Sequence, residues 1–178
     1  MKYRDQISDQ ILVLRCREGD VNAFDQLVGQ WQERLWRHAL RLTGHEDAAW
    51  DVTQESWMGI SRGIGSLQDP AAFSGWAYQI VSNKCRDWIR REQRRRRGIQ
   101  SYADQFIEPS NDGTESFASL REALERLSPP DQTIISLRYE EGFDTTEIAG
   151  ILGIPEGTVR SRLHYTRKRL RTLLEEPS

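Results

Sequence analysis

At 178 residues the chain can form one medium domain or two small ones, each with a modest core. Hydrophobic residues make up 37 % and no long apolar run appears, so no transmembrane span or secretory signal is visible and a cytoplasmic protein is expected. The formal net charge of −2 would hide a nucleic-acid partner if taken alone, but the charge is segregated. Residues 84–97 carry eight cations and two acids, a net +6, and residues 160–171 carry six cations and no acid, another +6. Two basic blocks in an otherwise acidic chain point to two separate DNA-facing surfaces. Cys16 and Cys85 lie in helical patterns far apart and read as buried thiols in a reducing cytosol, not as a disulfide or metal cluster. His38, His45 and His164 are scattered, and no carboxylate pair, nucleophile constellation or metal spacing stands out, so neither an enzyme nor a cofactor is expected.

Residues 7–18 read as a short helix packed on the next one. Asp20 can cap that second helix, in which Ala23, Phe24, Leu27, Val28, Trp31, Leu35, Trp36, Ala39 and Leu40 form a broad inward stripe, and Gly44 ends it. Residues 46–62 form the third helix, with Glu46 and Asp47 in its first turn and Ala49, Val52, Trp57 and Ile60 pointing inward. Asp51, Gln54, Glu55 and Met58 share a different face, spaced i, i+3, i+4, i+7; on spacing alone such a face reads as solvated.

Gly63, Gly65, Ser66, Asp69 and Pro70 mark a loop. From Ala71 a long helix runs into the first basic block, with Phe73, Trp76, Ala77, Ile80, Val81, Lys84, Cys85, Trp88 and Ile89 on one side. A glycine-containing loop against a basic, aromatic-rich helix is a place for single-stranded DNA, because aromatic faces stack on bases while arginines hold phosphates. Most of the six tryptophans are expected in the core. Residues 98–118 are acidic, aperiodic and rich in Ser, Asp, Asn and Gly, as in a mobile linker. Helical pattern resumes at Leu120, Ala123, Leu124 and Leu127, is broken at Ser128-Pro129-Pro130, and continues through Ile134, Ile135, Leu137 and Tyr139.

Residues 144–171 then read as helix, tight turn and helix. Asp144 or Thr145 caps the first helix, whose inward side holds Ile148, Ala149 and Leu152. Gly153 suits the left-handed position after it, and Pro155 forces Ile154 out of helical geometry. Val159, Leu163, Thr166 and Leu170 form the inward stripe of the second helix; Arg160, Ser161, His164, Tyr165 and Lys168 fall largely opposite, where they can enter a major groove. The fold class expected is all-α, two small helical domains joined by a flexible linker.

Together these motifs resemble the extracytoplasmic-function (ECF) sigma factors of bacterial RNA polymerase, over most of the chain. Asp51-Val52-Thr53-Gln54-Glu55-Ser56-Trp57 is similar to the core-binding helix of that family's region 2. Trp76-Ala77-Tyr78-Gln79-Ile80-Val81-Ser82-Asn83, with Asp87 and Arg90, resembles the helix that reads the −10 element, and residues 127–170 resemble region 4. The resemblance implies region 2 at residues 1–97, a linker at 98–118 and region 4 at 119–178. It implies that Asp51, Gln54, Glu55 and Met58 face the β′ clamp coiled coil of the polymerase core, reversing the solvated reading. Ser66, Phe73, Asn83, Lys84 and Arg91 would meet the −10 element, the 63–70 loop and Asn83 holding an unstacked base. Thr158, Arg160, Ser161, His164, Tyr165 and Lys168 would meet the −35 element, and region 4 would rest on the β flap. An anti-sigma factor is usual for the family, although no residue demonstrates one. Trp50 departs from the pattern where an acid is common, and Pro155 where a capping serine is common.

Energetics favour a subunit over a free-standing protein. Opening ten base pairs costs on the order of 14 kcal/mol, and stacking contacts worth ~1–3 kcal/mol each cannot supply it from one small module. The alternative is a transcription regulator that binds duplex DNA through residues 144–171 and dimerises through its N-terminal helices.

Overall fold

The structure, a computed structural model, describes residues 2–98 and 118–175, which form helices and short turns in two compact units divided after Ser101. The segment expected to be a linker lies almost wholly outside the described residues, and the side chains of Arg96 and Arg97 lie outside them too.

The first unit is a four-helix assembly: α1 (Lys2–Arg17), α2 (Val21–Thr43), α3 (Glu46–Gly63) and α4 (Phe73–Gly98), with two 3-10 turns, Ile64–Ser66 and Pro70–Ala72, between the last two. Asp20 caps α2 as its position demands, accepting from the Ala23 amide at 3.1 Å. Arg15 grips the same carboxylate at 2.7 Å, fastening the α1–α2 turn and holding the Asp20 carboxyl below its ordinary range. Gly44 ends α2 in the left-handed conformation.

α2 is the central element, packing on α1, α3 and α4. Trp31 lies at its middle, 1 % exposed, edge-on to Phe73 (5.3 Å) and Tyr78 (6.0 Å) of α4, and its indole N–H donates to Asp9 of α1 at 3.0 Å. An aromatic cluster of this geometry adds stabilisation beyond its buried area, and the satisfied N–H removes the cost of burying a polar atom. Leu27, Leu35, Ala39, Val52, Ile60, Ala77, Val81 and Cys85 complete the core.

Two buried features were not read from the stripe. His38 is 1 % exposed and hydrogen-bonded to the Ser82 hydroxyl at 2.8 Å, with Tyr78 edge-on at 5.0 Å. The tryptophans also divide differently from the expectation. Of the six, Trp31 and Trp57 are buried, Trp36, Trp76 and Trp88 are half-buried, and Trp50 is 41 % exposed. An indole spans more than the depth of a small bundle's core, so in helices this thin most rings reach the surface.

The second unit contains α5 (Ala118–Glu125), α6 (Pro129–Ile135) with a wide π turn (Ser136–Glu140), α7 (Thr145–Leu152) and α8 (Glu156–Glu175). Pro129 and Pro130 occupy the first two positions of α6, where a missing N–H leaves no bond unmade. The π turn inserts an extra residue into the helical phase, and Tyr139, read as part of the apolar pattern, is 54 % exposed. α8 packs on α5, α6 and α7, with Val159, Leu163 and Thr166 buried beside Ile148 and Ile151.

Asp144 and Glu147 form a reciprocal capping box at the start of α7: Asp144 accepts from the Glu147 amide at 2.8 Å, and Glu147 accepts from the Asp144 amide at 2.7 Å. Gly153 then turns the chain at φ 60°, a conformation that any Cβ would strain. Asp144→Ala is expected to cost the second unit about 1 kcal/mol, read as a lowered midpoint in a denaturant titration followed by circular dichroism. An unchanged midpoint would show that tertiary packing alone holds α7.

Candidate nucleic-acid interface

Three solvent-facing surfaces gather the residues singled out from the sequence. The first is the outer arc of α3. Val52, Thr53, Ser56, Trp57 and Ile60 are buried, which leaves the remaining side to Asp51, Gln54 and Met58, all exposed, and Glu55, half-exposed. Met58, the last of the four along α3, is 61 % exposed, an apolar group at one end of an otherwise acidic and amide surface. Buried Thr53 and Ser56 do not interrupt the core, because each hydroxyl donates back to the carbonyl four residues earlier at 2.7 Å. At the α2 edge of the arc, Trp50 stacks on Trp36 with ring centroids 5.3 Å apart and a tilt of 32°.

The second surface lies on α4. Asn83, Arg90, Arg91 and Arg94 are exposed, and Lys84 is half-exposed. The Lys84 ammonium donates to Glu55 of α3 at 3.1 Å, so the acidic arc and the basic helix meet through one ion pair. A shallow groove follows that junction, lined by Asp51, Glu55, Trp88, Arg91 and Arg95. Arg95 is held by Glu92 through two bonds, 2.8 and 2.9 Å, which orient its guanidinium and raise its pKa further. The Asn83 amide oxygen accepts from Arg86.

Ser66, on the 3-10 turn entering the loop, is exposed and donates to the Gly63 carbonyl at 2.7 Å. Gly63 itself is required by close approach, since a Cβ there would lie 2.8 Å from the Trp76 ring. Trp76, half-buried, thus forms the wall against which the loop begins, a role that helical periodicity could not show. Phe73 corrects its expectation: at 1 % exposed and edge-on to Trp31, its ring is part of the core and is not presented to a base. The inward stripe that places Phe73 on one side of α4 was the correct signal for it.

The third surface is on α8. Arg160, Ser161, His164, Tyr165 and Lys168 are exposed and Thr158 is half-buried, on the side away from buried Val159, Leu163 and Thr166. His164 and Tyr165 meet edge-on at 5.4 Å, and Tyr165 is 69 % exposed. The basic run is less naked than its sequence reads. Glu156, just outside residues 160–171, accepts from Arg160 at 2.7 Å and from the Thr145 hydroxyl of α7 at 2.7 Å. Those donors hold the Glu156 carboxyl below its ordinary range, Thr145 contributing most.

Chemically, the arrangement is suited to recognition. The described residues contain no group of three or more His, Cys, Asp or Glu side chains able to hold a metal ion. Cys85 is buried as expected but Cys16 is only half-buried; burial raises both thiols, Cys85 to about 12, which disfavours the reactive thiolate. Among the described residues no helix is long and apolar enough to cross a membrane.

Comparison with known proteins fits this geometry. Residues 27–95 match the family model for sigma-70 region 2, and residues 117–170 match that for sigma-70 region 4. The chain is 33 % identical over 163 residues to the ECF RNA polymerase sigma factor SigE of Mycolicibacterium smegmatis, covering 88 % of this chain and 63 % of that relative. It is 32 % identical over 174 residues to the ECF RNA polymerase sigma factor SigM of Mycobacterium tuberculosis, covering 96 % of this chain and 87 % of that one. Among solved structures, the sigma factor RpoE in complex with the anti-sigma factor NepR from Bartonella quintana is similar at a TM-score of 0.65 and 26 % identity, covering 89 % of this chain and 100 % of that chain. With both regions matched in order and relatives above 30 % identity over most of its length, the chain belongs to the ECF sigma factors, which direct bacterial RNA polymerase to its promoters.

Proposed function

We propose that the two units divide the work of promoter recognition and that the first also anchors the protein to core polymerase. The observation that carries this is the arc of α3. Two carboxylates, an amide and a 61 %-exposed methionine lie together on its solvent side. An exposed apolar group beside charged and amide groups is chemistry suited to a docking face. Asp51, Gln54, Glu55 and Met58 meet the β′ clamp coiled coil; Ser66, Asn83, Lys84 and Arg91 meet the displaced strand of the −10 element. Thr158, Arg160, Ser161, His164, Tyr165 and Lys168 meet duplex DNA at the −35 element. The β flap is received by the apolar surface near α5 and α6, where Leu120 and Tyr139 are exposed. The protein works in the cytoplasm without catalytic chemistry of its own, and an anti-sigma factor restrains it, as NepR is found on RpoE.

The test is reconstitution. Core polymerase with this protein should transcribe from a cognate promoter, and core alone should not. Within that assay Arg160→Ala should cost roughly 1–3 kcal/mol at one base pair of the −35 element and relax the preference there. Arg94→Ala should weaken all promoters alike and reduce the salt slope by about one. If both variants lower every promoter equally, the division between base reading and phosphate anchoring is wrong.

A further inference from the structure

Glu156 is an unexpected residue to find on a DNA-facing helix. It is the first residue of α8, and from there a carboxylate repels phosphate oxygens. A favourable interaction with the helix dipole accounts for an acid in the first turn but not for the direction it takes. Its Oε1 accepts from two helices at once: the Thr145 hydroxyl at the start of α7 and an Arg160 guanidinium nitrogen one turn along α8, both at 2.7 Å. The Thr145 bond fixes the carboxylate, and the carboxylate then limits the rotamers of an arginine whose side chain is otherwise 68 % exposed.

We infer that Glu156 is a positioning residue for −35 recognition, holding the Arg160 guanidinium in the orientation in which it meets a base edge. The inference rests on the reading of Arg160 as a base-contacting residue. An exposed ion pair contributes little to stability, so the value of this one lies in geometry. A bidentate contact to guanine requires the guanidinium fork to lie in the plane of the base, and a pre-oriented fork loses less rotamer freedom on binding. The acid also weakens attraction to DNA of any sequence, trading general affinity for discrimination.

The experiment is transcription by core polymerase carrying the full chain, on promoters whose −35 element is altered one base pair at a time. Glu156→Ala should reduce discrimination at the Arg160-dependent base pair about tenfold, from the 1–3 kcal/mol range of a bidentate contact. Templates altered at that pair should be used no less well than by the unaltered protein, and the salt dependence should steepen because an acid has been removed from the DNA-facing side. Glu156→Gln keeps the accepting oxygen and should retain discrimination within about threefold of the starting protein, whereas Thr145→Val, which frees the carboxylate from α7, should lose part of it.

Full discrimination in Glu156→Ala, with loss in Arg160→Ala, overturns the inference and leaves the Arg160 reading standing. Full discrimination in Arg160→Ala removes that reading and the inference with it. Full discrimination in Thr145→Val also overturns the inference, because a carboxylate released from α7 would then not be what orients the arginine.

Discussion

Replacing Glu55 by arginine abolishes stable association with core polymerase, with an expected loss of at least about 100-fold, or roughly 2.7 kcal/mol. Glu55 lies on the α3 arc beside exposed Asp51, four residues before it, so reversing its charge opposes whatever cationic surface the arc meets. The fold should tolerate the change, since the half-exposed Glu55 side chain contributes to no core layer. Its internal partner is Lys84 at 3.1 Å, and a solvent-exposed pair of this kind is worth about 0–1 kcal/mol, too little to account for a 100-fold effect. A titration of labelled protein with core polymerase measures the loss. Asp25→Arg, the same reversal on the exposed side of α2, is the control. Undiminished binding by Glu55→Arg would show that polymerase docks elsewhere.

The second large effect is on stability against acid. Burial pushes His38 down from 6.5 to about 3, with nearby Arg41 acting in the same direction. The unfolded chain therefore takes up a proton on this residue at a pH where the folded chain does not. Stability is complete above about pH 6.5 and declines as pH falls toward the folded value, at about 1.4 kcal/mol per unit. Between pH 6.5 and 4 the contribution amounts to roughly 3 kcal/mol, a large share of what a small domain possesses. All six tryptophans belong to the first unit, so tryptophan fluorescence during urea unfolding reports this unit alone.

His38→Gln keeps a hydrogen-bonding group near Ser82 and does not titrate. It should flatten the pH dependence by close to one proton in that window. Carboxylates titrate in both proteins, so only the difference between them bears on His38. Equal slopes would mean that the buried imidazole is protonated without cost.

For this protein, the sequence by itself determined the helices, most of their ends and the function class. Helical ends are set by local chemistry, so Asp20, Gly44 and Gly153 could be read one residue at a time, while the structure chose Asp144 over Thr145 as the cap of α7. Inward stripes at Val159, Leu163 and Thr166 likewise left the exposed side of α8 by elimination. Two basic blocks and three motifs in order then sufficed to identify the family.

What only the tertiary structure decided depends on distance between elements. Periodicity placed Phe73 on the correct side of α4, but only packing against Trp31 showed that its ring is unavailable to DNA. His38 interrupts no apolar pattern, and its burial depends on Ser82 of another helix supplying the hydrogen bond. Lys84 and Glu55 are 29 residues apart, and nothing local reports that the basic side of α4 and the acidic arc of α3 meet through them. Glu156 lay outside the basic run by four residues, yet one helical turn brings its carboxylate onto Arg160, and the bend at Gly153 brings it onto Thr145. Local propensity fixes which side of a helix faces solvent; the pairing of charges across helices follows from how they pack.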